Sequence, residues 1–162
     1  MNKLIPLPKE ATNPSDSYIV PPNIPHFGGG IYAVPGDSIK SGLVIYASGL
    51  AVAGPQPMAI AVHPDFLYLG NAGGKVWARQ YQQIRSADIG SQINVTVPIQ
   101  TRQSWTDWRL DNAATVKISF PTRMGGEISL VLATILPEQA AQWVAVINQA
   151  RIDYEERFRG AY

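Results

Sequence analysis

The sequence predicts a mainly β protein with about seven antiparallel strands, arranged as a partly open barrel or orthogonal sandwich and capped by one C-terminal α-helix. From residue 42 onward, short apolar or alternating segments recur between turn-forming residues, which is typical of antiparallel sheets. Residues 137–158 differ, because their apolar side chains recur at intervals of three and four. A single amphipathic helix of this kind would bury its apolar face on the open side of the sheet.

Residues 1–40 have a composition of their own, and we expect them to form an extended N-terminal arm. Seven of the 13 prolines lie here, together with the Gly28-Gly29-Gly30 triplet. Proline fixes φ and removes a hydrogen-bond donor, so this stretch can form neither a helix nor a central strand. Apolar residues are interspersed, so the arm either docks on its own domain or a neighbouring subunit, or is a disordered leader. Residues 41–162 make up the barrel domain.

Turn-forming residues divide the barrel domain into short strand-like runs. Ser48-Gly49, His63-Pro64-Asp65 and Asn71-Ala72-Gly73-Gly74 have turn chemistry. The run INVTVPI alternates cleanly between apolar and polar residues, as a strand with one buried face does. The expected strands are residues 43–47, 50–53, 58–62, 66–69, 75–81, 93–99, 115–120 and 127–135.

The helix at residues 137–158 has the sequence features of a lid on the sheet. Pro137 suits the first turn, where its missing N–H costs nothing, and Glu138 suits the positive end of the helix dipole. Trp143, Val144 and Ile147 lie in one apolar stripe. We therefore expect these three side chains to pack on the barrel as a structural cap.

Seven antiparallel strands followed by one amphipathic helix with a tryptophan in its first half resemble the pleckstrin-homology superfold. The stretch MAIAVHPDFLYLGN, followed by KVWARQYQQIRSADIG, is similar to bacterial pleckstrin-homology and GRAM-like members. The resemblance covers residues 41–158. It implies that the helix closes one end of two nearly orthogonal sheets and that Trp143, which matches the family's helix tryptophan, packs into the core.

The sequence departs from the phosphoinositide-binding members of that superfold. Those members place lysines and arginines on the first strand pair and its loop, whereas no Lys or Arg occurs between Lys40 and Lys75. A loop without cations cannot hold several phosphates by charge-assisted hydrogen bonds. We therefore do not expect a phosphoinositide ligand.

The residue types needed for catalysis or metal binding are scarce. The chain has no cysteine and two histidines, His26 and His63, so neither a thiolate site nor a histidine metal site is expected. His63-Pro64-Asp65 has ordinary turn chemistry, and residues 70–76 (GNAGGKV) lack the spacing of a phosphate-binding loop. We expect neither an enzyme nor a cofactor.

Residues 42–62 are uncharged and long enough to cross a bilayer. Three glycines and Pro55-Gln56-Pro57 interrupt them, so two buried strands explain the stretch better than a membrane span. The opening MNKLIPLPKE lacks the apolar run of a secretory signal peptide, and we expect a cytoplasmic location.

The candidate partner-binding residues crowd the segment TRQSWTDWRL, residues 101–110. Arg102, Trp105, Trp108 and Arg109 are of the two residue types that interfaces favour as anchors. Alternatively, one tryptophan closes the barrel end while the arginine stems cover it. Stacking on single-stranded nucleic acid is not expected, because the net charge is only +1.

These observations predict a non-enzymatic protein-interaction or scaffold module. In one version it self-assembles into a homo-oligomer through its N-terminal arm. A partner peptide could also add beside an exposed strand near the helix. The end of the helix, residues 153–159, is the part expected to run past the sheet and meet a partner. The alternative is a barrel that binds a small molecule or lipid, which residues 42–69 would line. A hollow interior would favour that alternative, and a filled one the interaction module.

Overall fold

A computed structural model describes residues 2–5, 32–71, 73–100 and 105–159. One 3-10 turn, Tyr81–Gln83, follows the sixth strand. The strands and the helix are β1 (Asn2–Ile5), β2 (Tyr32–Pro35), β3 (Lys40–Ser48), β4 (Gln56–Val62), β5 (Phe66–Asn71), β6 (Gly74–Gln80), β7 (Ser86–Ile89), β8 (Ile93–Gln100), β9 (Trp105–Ala113), β10 (Thr115–Pro121), β11 (Glu127–Ala133) and α1 (Pro137–Arg159).

Seven strands form one antiparallel sheet in the order β6-β5-β4-β3-β11-β10-β7. The edge strands β6 and β7 do not pair with each other, so the sheet is not closed into a barrel. Two further antiparallel pairs, β1–β2 and β8–β9, lie outside it. The predicted fold class is confirmed: the protein is mainly β, with an open seven-stranded antiparallel sheet and one C-terminal helix.

Strand alternation sends side chains to both faces of the sheet and so creates two cores. In β3, Val44 and Tyr46 point to one face, and Leu43 and Ile45 point to the other. We call the cluster beneath the helix the inner core and the cluster on the opposite face the outer core. The largest fully buried side chains occur in both cores: Tyr46, Ile45, Met58, Ile60, Leu67, Leu69, Ile118, Leu130, Leu132, Ile147 and Val34.

The helix α1 covers the inner core. It begins at Pro137, and just before it the Leu136 N–H donates to Gln139 Oε1 at 3.0 Å while the Gln139 N–H donates back to the Leu136 carbonyl oxygen at 3.1 Å. This reciprocal pair satisfies amide groups that a helix start leaves without intrahelical partners. The helix side chains in the inner core recur at three and four: Ala140, Trp143, Ile147, Ala150 and Tyr154.

The outer core is covered by elements outside the main sheet. Val34 of β2 is fully buried there, and β8 and β9 contribute Val95, Val97 and Ala113. The C-terminal end of the predicted arm therefore packs on its own chain. Because both faces of the sheet are covered, β3, β4 and β5 are apolar on both sides, as buried strands are.

Three details of the predicted strands are wrong. Residues 50–53 are bends rather than a strand, and the Tyr46 hydroxyl holds the Leu50 backbone there through bonds of 2.9 Å to both its N–H and its carbonyl oxygen. Residues 93–99 do form a strand, β8, but it pairs with β9 and not with the main sheet. The strands β7 and β9 were missed, as were β1 and β2 within the predicted arm.

The edge strand β6 contains one irregularity. Its register against β5 shifts where Leu69 and Gly70 face Trp77 and Lys75, which leaves Val76 as an extra residue on β6.

The helix α1, in the described part of the chain, does not combine the length and the apolarity that crossing a bilayer requires.

Candidate functional site

The segment predicted to bind a partner lies in and next to the β8–β9 hairpin. Trp105 pairs with Gln100 at the end of the hairpin, and its side chain lies outside the described part. Arg102 lies outside the described residues altogether. Trp108 pairs with the buried Val97, and its half-buried ring packs against the outer core.

Arg109 points away from Trp108, because successive residues of a strand face opposite sides. Its side chain is exposed, and its Nε donates to Asp111 Oδ1 at 2.6 Å. This hydrogen bond, with the Asp111 charge, raises the pKa of Arg109. Trp108 therefore contributes to packing and Arg109 to the solvent face, so these two candidates do not share one surface.

The three residues predicted to cap the sheet lie at the contact between α1 and the inner core. Trp143 is 3% exposed and Ile147 is fully buried, while Val144 is half-buried against the same cluster. Lys40 Nζ lies 4.6 Å from the centroid of the Trp143 ring, a cation–π distance. Partial burial lowers the pKa of Lys40.

A groove runs between the C-terminal half of α1 and the connection from β6 to β7. We call it the helix groove. Its volume is about 770 Å³. It is lined by Tyr81, Gln82, Ile84, Asn148, Arg151, Ile152, Tyr154, Glu155 and Phe158.

Aromatic side chains form the floor of the helix groove. The Tyr81 and Tyr154 rings meet edge to face at 5.9 Å, and the Tyr154 and Phe158 rings lie 4.5 Å apart. The Tyr81 hydroxyl donates to the His63 carbonyl oxygen at 2.6 Å, and the Tyr154 hydroxyl donates to Gln82 Oε1 at 3.2 Å. Both buried hydroxyls are thus satisfied, and the floor is held in place.

Two large apolar side chains of the helix groove remain in contact with solvent. Ile152 is 49% exposed and Phe158 is 50% exposed. Both line the helix groove, six positions apart in α1, and Glu155 lies between them. The predicted contact segment, residues 153–159, therefore includes one of the two exposed apolar residues of this surface.

Polar side chains of α1 attach the helix groove to the sheet edge at β7. Arg151 Nη2 donates to the carbonyl oxygens of Ile84 at 3.2 Å and of Arg85 at 2.9 Å. Asn148 Nδ2 donates to the Ala87 carbonyl oxygen at 3.0 Å. Carbonyls at and just before the edge strand are thus bonded to the helix, which restricts the addition of another strand there.

The turn between β4 and β5 holds the end of α1. Arg157 Nη2 donates to the Pro64 carbonyl oxygen at 2.7 Å and to Asp65 Oδ1 at 2.9 Å. His63, in the same turn, accepts the Asp65 N–H at its Nδ1 at 3.1 Å and stacks on Phe66 at 4.2 Å. Both contacts of His63 are those of a turn residue. His26, the other histidine, lies outside the described residues.

The described residues include no group of three or more His, Asp or Glu side chains placed to hold a metal ion. The chain matches no protein-family model and no curated protein. The helix groove, with Ile152 and Phe158 exposed to solvent, is the candidate functional site. No sequence pattern indicated that Tyr81 and Ile84 would contact residues of α1 more than sixty positions later in the chain.

Proposed function

We propose that this chain is a non-enzymatic protein-interaction or scaffold module that holds a protein partner in the helix groove. The observation that carries the proposal is the pair Ile152 and Phe158, two apolar side chains that line the helix groove and are each about half exposed. Binding hot spots are bulky side chains in well-packed surroundings that a partner can fully desolvate. The two side chains meet that description.

The packing of the interior favours this proposal over a lipid or small-molecule carrier. A carrier needs an interior cavity large enough for its ligand. The space between sheet and helix is instead occupied by large side chains of the inner core, among them Met58, Leu69, Phe120 and Trp143. The helix groove lies at the surface of this filled structure.

The proposed membership in the pleckstrin-homology superfold rests on the sheet and the helix together. The main sheet contains two runs of strands, β3 to β6 and then β7, β10 and β11, followed by α1. The burial of Trp143 in the inner core supports this proposal. The β8–β9 hairpin and the β1–β2 pair are additions to the expected pattern.

Within this proposal, docking by side chains is favoured over strand addition at β7. An added strand would have to displace Asn148 from the Ala87 carbonyl oxygen.

The version of the proposal in which the chain self-assembles through residues 1–40 has only part of this arm available. Val34, near the end of the arm, is already buried in the outer core of its own chain. Light scattering should therefore compare the full chain with one that begins at residue 32 and keeps β2. An unchanged mass would remove that version.

Affinity capture from cells that make the protein tests the groove. We expect partner proteins to be retained by the native chain and lost by an Ile152→Ser/Phe158→Ser variant. Met124→Ser is the matched control, because Met124 is an apolar side chain that is 95% exposed and lies outside the groove. If all three chains retain the same proteins, the groove is not the binding surface. We propose that this binding takes place in the cytoplasm.

A further inference from the structure

The β8–β9 hairpin has an open edge along β9. In the described part of the chain, β8 and β9 form a two-stranded sheet, and no third strand pairs with either of them. Pro98 removes one N–H donor from β8. The nine residues of β9 include neither proline nor lysine, which are residue types that commonly protect an edge. Of the two strands, β9 is therefore the one that can accept another strand.

The burial of the hairpin decreases from β8 to β9. Val95 and Val97 of β8 point to the outer core and are 3% and 0% exposed. The residues paired with them on β9, Leu110 and Trp108, pack against the same core but are only half-buried. The strands β3, β4 and β5, which have a neighbour on each side, bury their core-facing side chains. The burial of β9 is thus that of a strand with a neighbour on one side.

The solvent face of β9 carries charges of alternating sign. Asp107, Arg109 and Asp111 are exposed, and because they are two positions apart they lie on one face. Arg109 bonds to Asp111 at 2.6 Å, whereas Asp107 forms no ion pair with another described side chain. A guanidinium has five N–H donors, so Arg109 can bind a second carboxylate without releasing Asp111.

We infer that β9 pairs with β9 of a second copy of this chain, antiparallel about a two-fold axis at Trp108. In a two-fold contact the same strand meets itself, and directly opposite residues share one face of the sheet. This register places Asp107 of each copy opposite Arg109 of the other, so two pairs of opposite charges form. The two hairpins make one four-stranded sheet, in which the half-buried Trp108 and Leu110 gain cover from the other copy.

The other registers are less favourable. A shift by one residue would set the core-facing side of one strand against the solvent-facing side of the other. A two-fold axis at Asp107 or at Arg109 places like charges directly opposite each other, which destabilises a strand pair. An axis at Leu110 pairs Arg109 with Asp111, but it includes Asn112, whose φ of 53° departs from extended backbone. Charge and backbone geometry therefore select the axis at Trp108.

Sedimentation velocity of the full chain across a range of concentrations tests the association. We expect the mass to rise toward that of two chains, since a contact of one strand pair is small and dissociates on dilution. Arg109→Asp should weaken the dimer at least about tenfold, because it sets carboxylates opposite each other. Asp107→Arg/Arg109→Asp restores opposite charges across the contact and should return the dissociation constant to within about threefold of the native value.

A matched control separates this contact from a general effect of charge. Arg123→Asp makes the same change in the exposed turn between β10 and β11, outside the hairpin, and should leave the dimer unchanged. Melting curves of all variants verify that they fold. A mass of one chain at every concentration would overturn the inference, and so would a dimer that Arg109→Asp leaves intact.

Cross-linking tests the register, because the native chain has no cysteine. An Asp107→Cys chain and a tagged Arg109→Cys chain, mixed and mildly oxidised, should form a disulfide-linked heterodimer. Directly opposite residues of an antiparallel pair have Cα atoms about 4.5–5.5 Å apart, which suits a disulfide. Each variant alone should cross-link at least about tenfold more slowly, since its cysteines are not directly opposite each other. Faster cross-linking of either variant with itself would contradict the two-fold axis at Trp108.

The contact at β9 and the helix groove are separate surfaces, so their tests give separate answers. Arg109→Asp should lose the dimer and keep the proteins captured by the groove. Ile152→Ser/Phe158→Ser should keep the dimer and lose those proteins. A dimer that the groove variant dissociates would overturn the inference, because the groove would then hold the second copy.

Discussion

Arg157, near the end of α1, and Asp65, in the turn between β4 and β5, form an ion pair with Nη2 and Oδ1 2.9 Å apart. The two residues are 92 positions apart, so this contact ties the last helical turns to the far end of the sheet. Both side chains are about half exposed, which limits the energy of the pair, because solvent screens exposed charges. The same guanidinium lies 5.7 Å from the Tyr154 ring and so covers the floor of the helix groove.

Arg157→Ala should lower the free energy of unfolding by about 0.5–1 kcal/mol, through the lost ion pair and the uncovered Tyr154 ring. A double-mutant cycle with Asp65→Ala, measured by urea denaturation, isolates the pair. Its coupling should shrink in 1 M salt. The pair between Arg85 and Glu127, at 3.9 Å, serves as the control and should show a smaller coupling. Equal coupling energies for the two ion pairs would contradict a stabilising role of the Arg157–Asp65 pair.

Trp143→Ala should lower the free energy of unfolding by about 3–5 kcal/mol, because it empties a large buried site between α1 and the sheet. Thermal melting of the purified variant measures the loss. Val144→Ala, in the next position but only half-buried, should cost clearly less. If Trp143→Ala melted like the native chain, α1 would not depend on this residue for its packing.

Trp108→Ala should lower the free energy of unfolding by about 2 kcal/mol, because it exposes part of the outer core under the β8–β9 hairpin. Arg109→Ala should leave the free energy of unfolding nearly unchanged, since the Arg109 side chain is exposed. Denaturant unfolding of the two variants compares them directly. If Arg109→Ala lost partner binding while its stability stayed unchanged, the β8–β9 hairpin would be a binding surface.

Tyr81→Phe should lower stability at pH 7 by about 1 kcal/mol, because the His63 carbonyl oxygen loses its hydroxyl donor. Burial, with the charge of Asp65, raises the pKa of Tyr81 well above its ordinary value of 10.0. The stabilising effect of the hydroxyl is therefore fully present below pH 10 and is lost as the pH rises through the raised folded-state pKa.

Urea titrations of the native chain and of the Tyr81→Phe variant, from pH 7 to pH 11, test this dependence. The difference between their free energies of unfolding should narrow above pH 10. The Tyr68 hydroxyl can be compared with that of Tyr81, because burial alone, without a neighbouring charge, raises the pKa of Tyr68. A stability difference that stays constant across this range would mean that the Tyr81 hydroxyl titrates alike in the folded and unfolded chains.

The elements with strong periodicity were predictable from sequence. Trp143 and Ile147 lie in a long helical stripe, and INVTVPI alternates without interruption, so each pattern identified its element. The strand β9 was missed because residues 101–110 were interpreted as a cluster of partner-binding tryptophans and arginines. Asp107, Arg109 and Asp111 nevertheless alternate with other residues as in a strand with one exposed face.

The helix groove could not be predicted, because it depends on tertiary contacts. Its walls come from the β6–β7 connection and from α1, which Arg151 joins across 67 positions to Ile84. No local sequence pattern indicates a contact between residues so far apart in the chain. The pairing of β8 with β9 escaped prediction for a related reason, since alternation predicts a strand but not its neighbour.

The two edges of the main sheet have a consequence for the solubility of the folded chain. An open sheet invites edge-to-edge association of molecules, the first step toward fibrous aggregates. At β7, Asn148 occupies a carbonyl oxygen that such growth would use, and at β6 the extra residue Val76 and the cations Lys75 and Arg79 disturb the ladder. Both edges of the open main sheet are thus obstructed against pairing with a strand of another molecule.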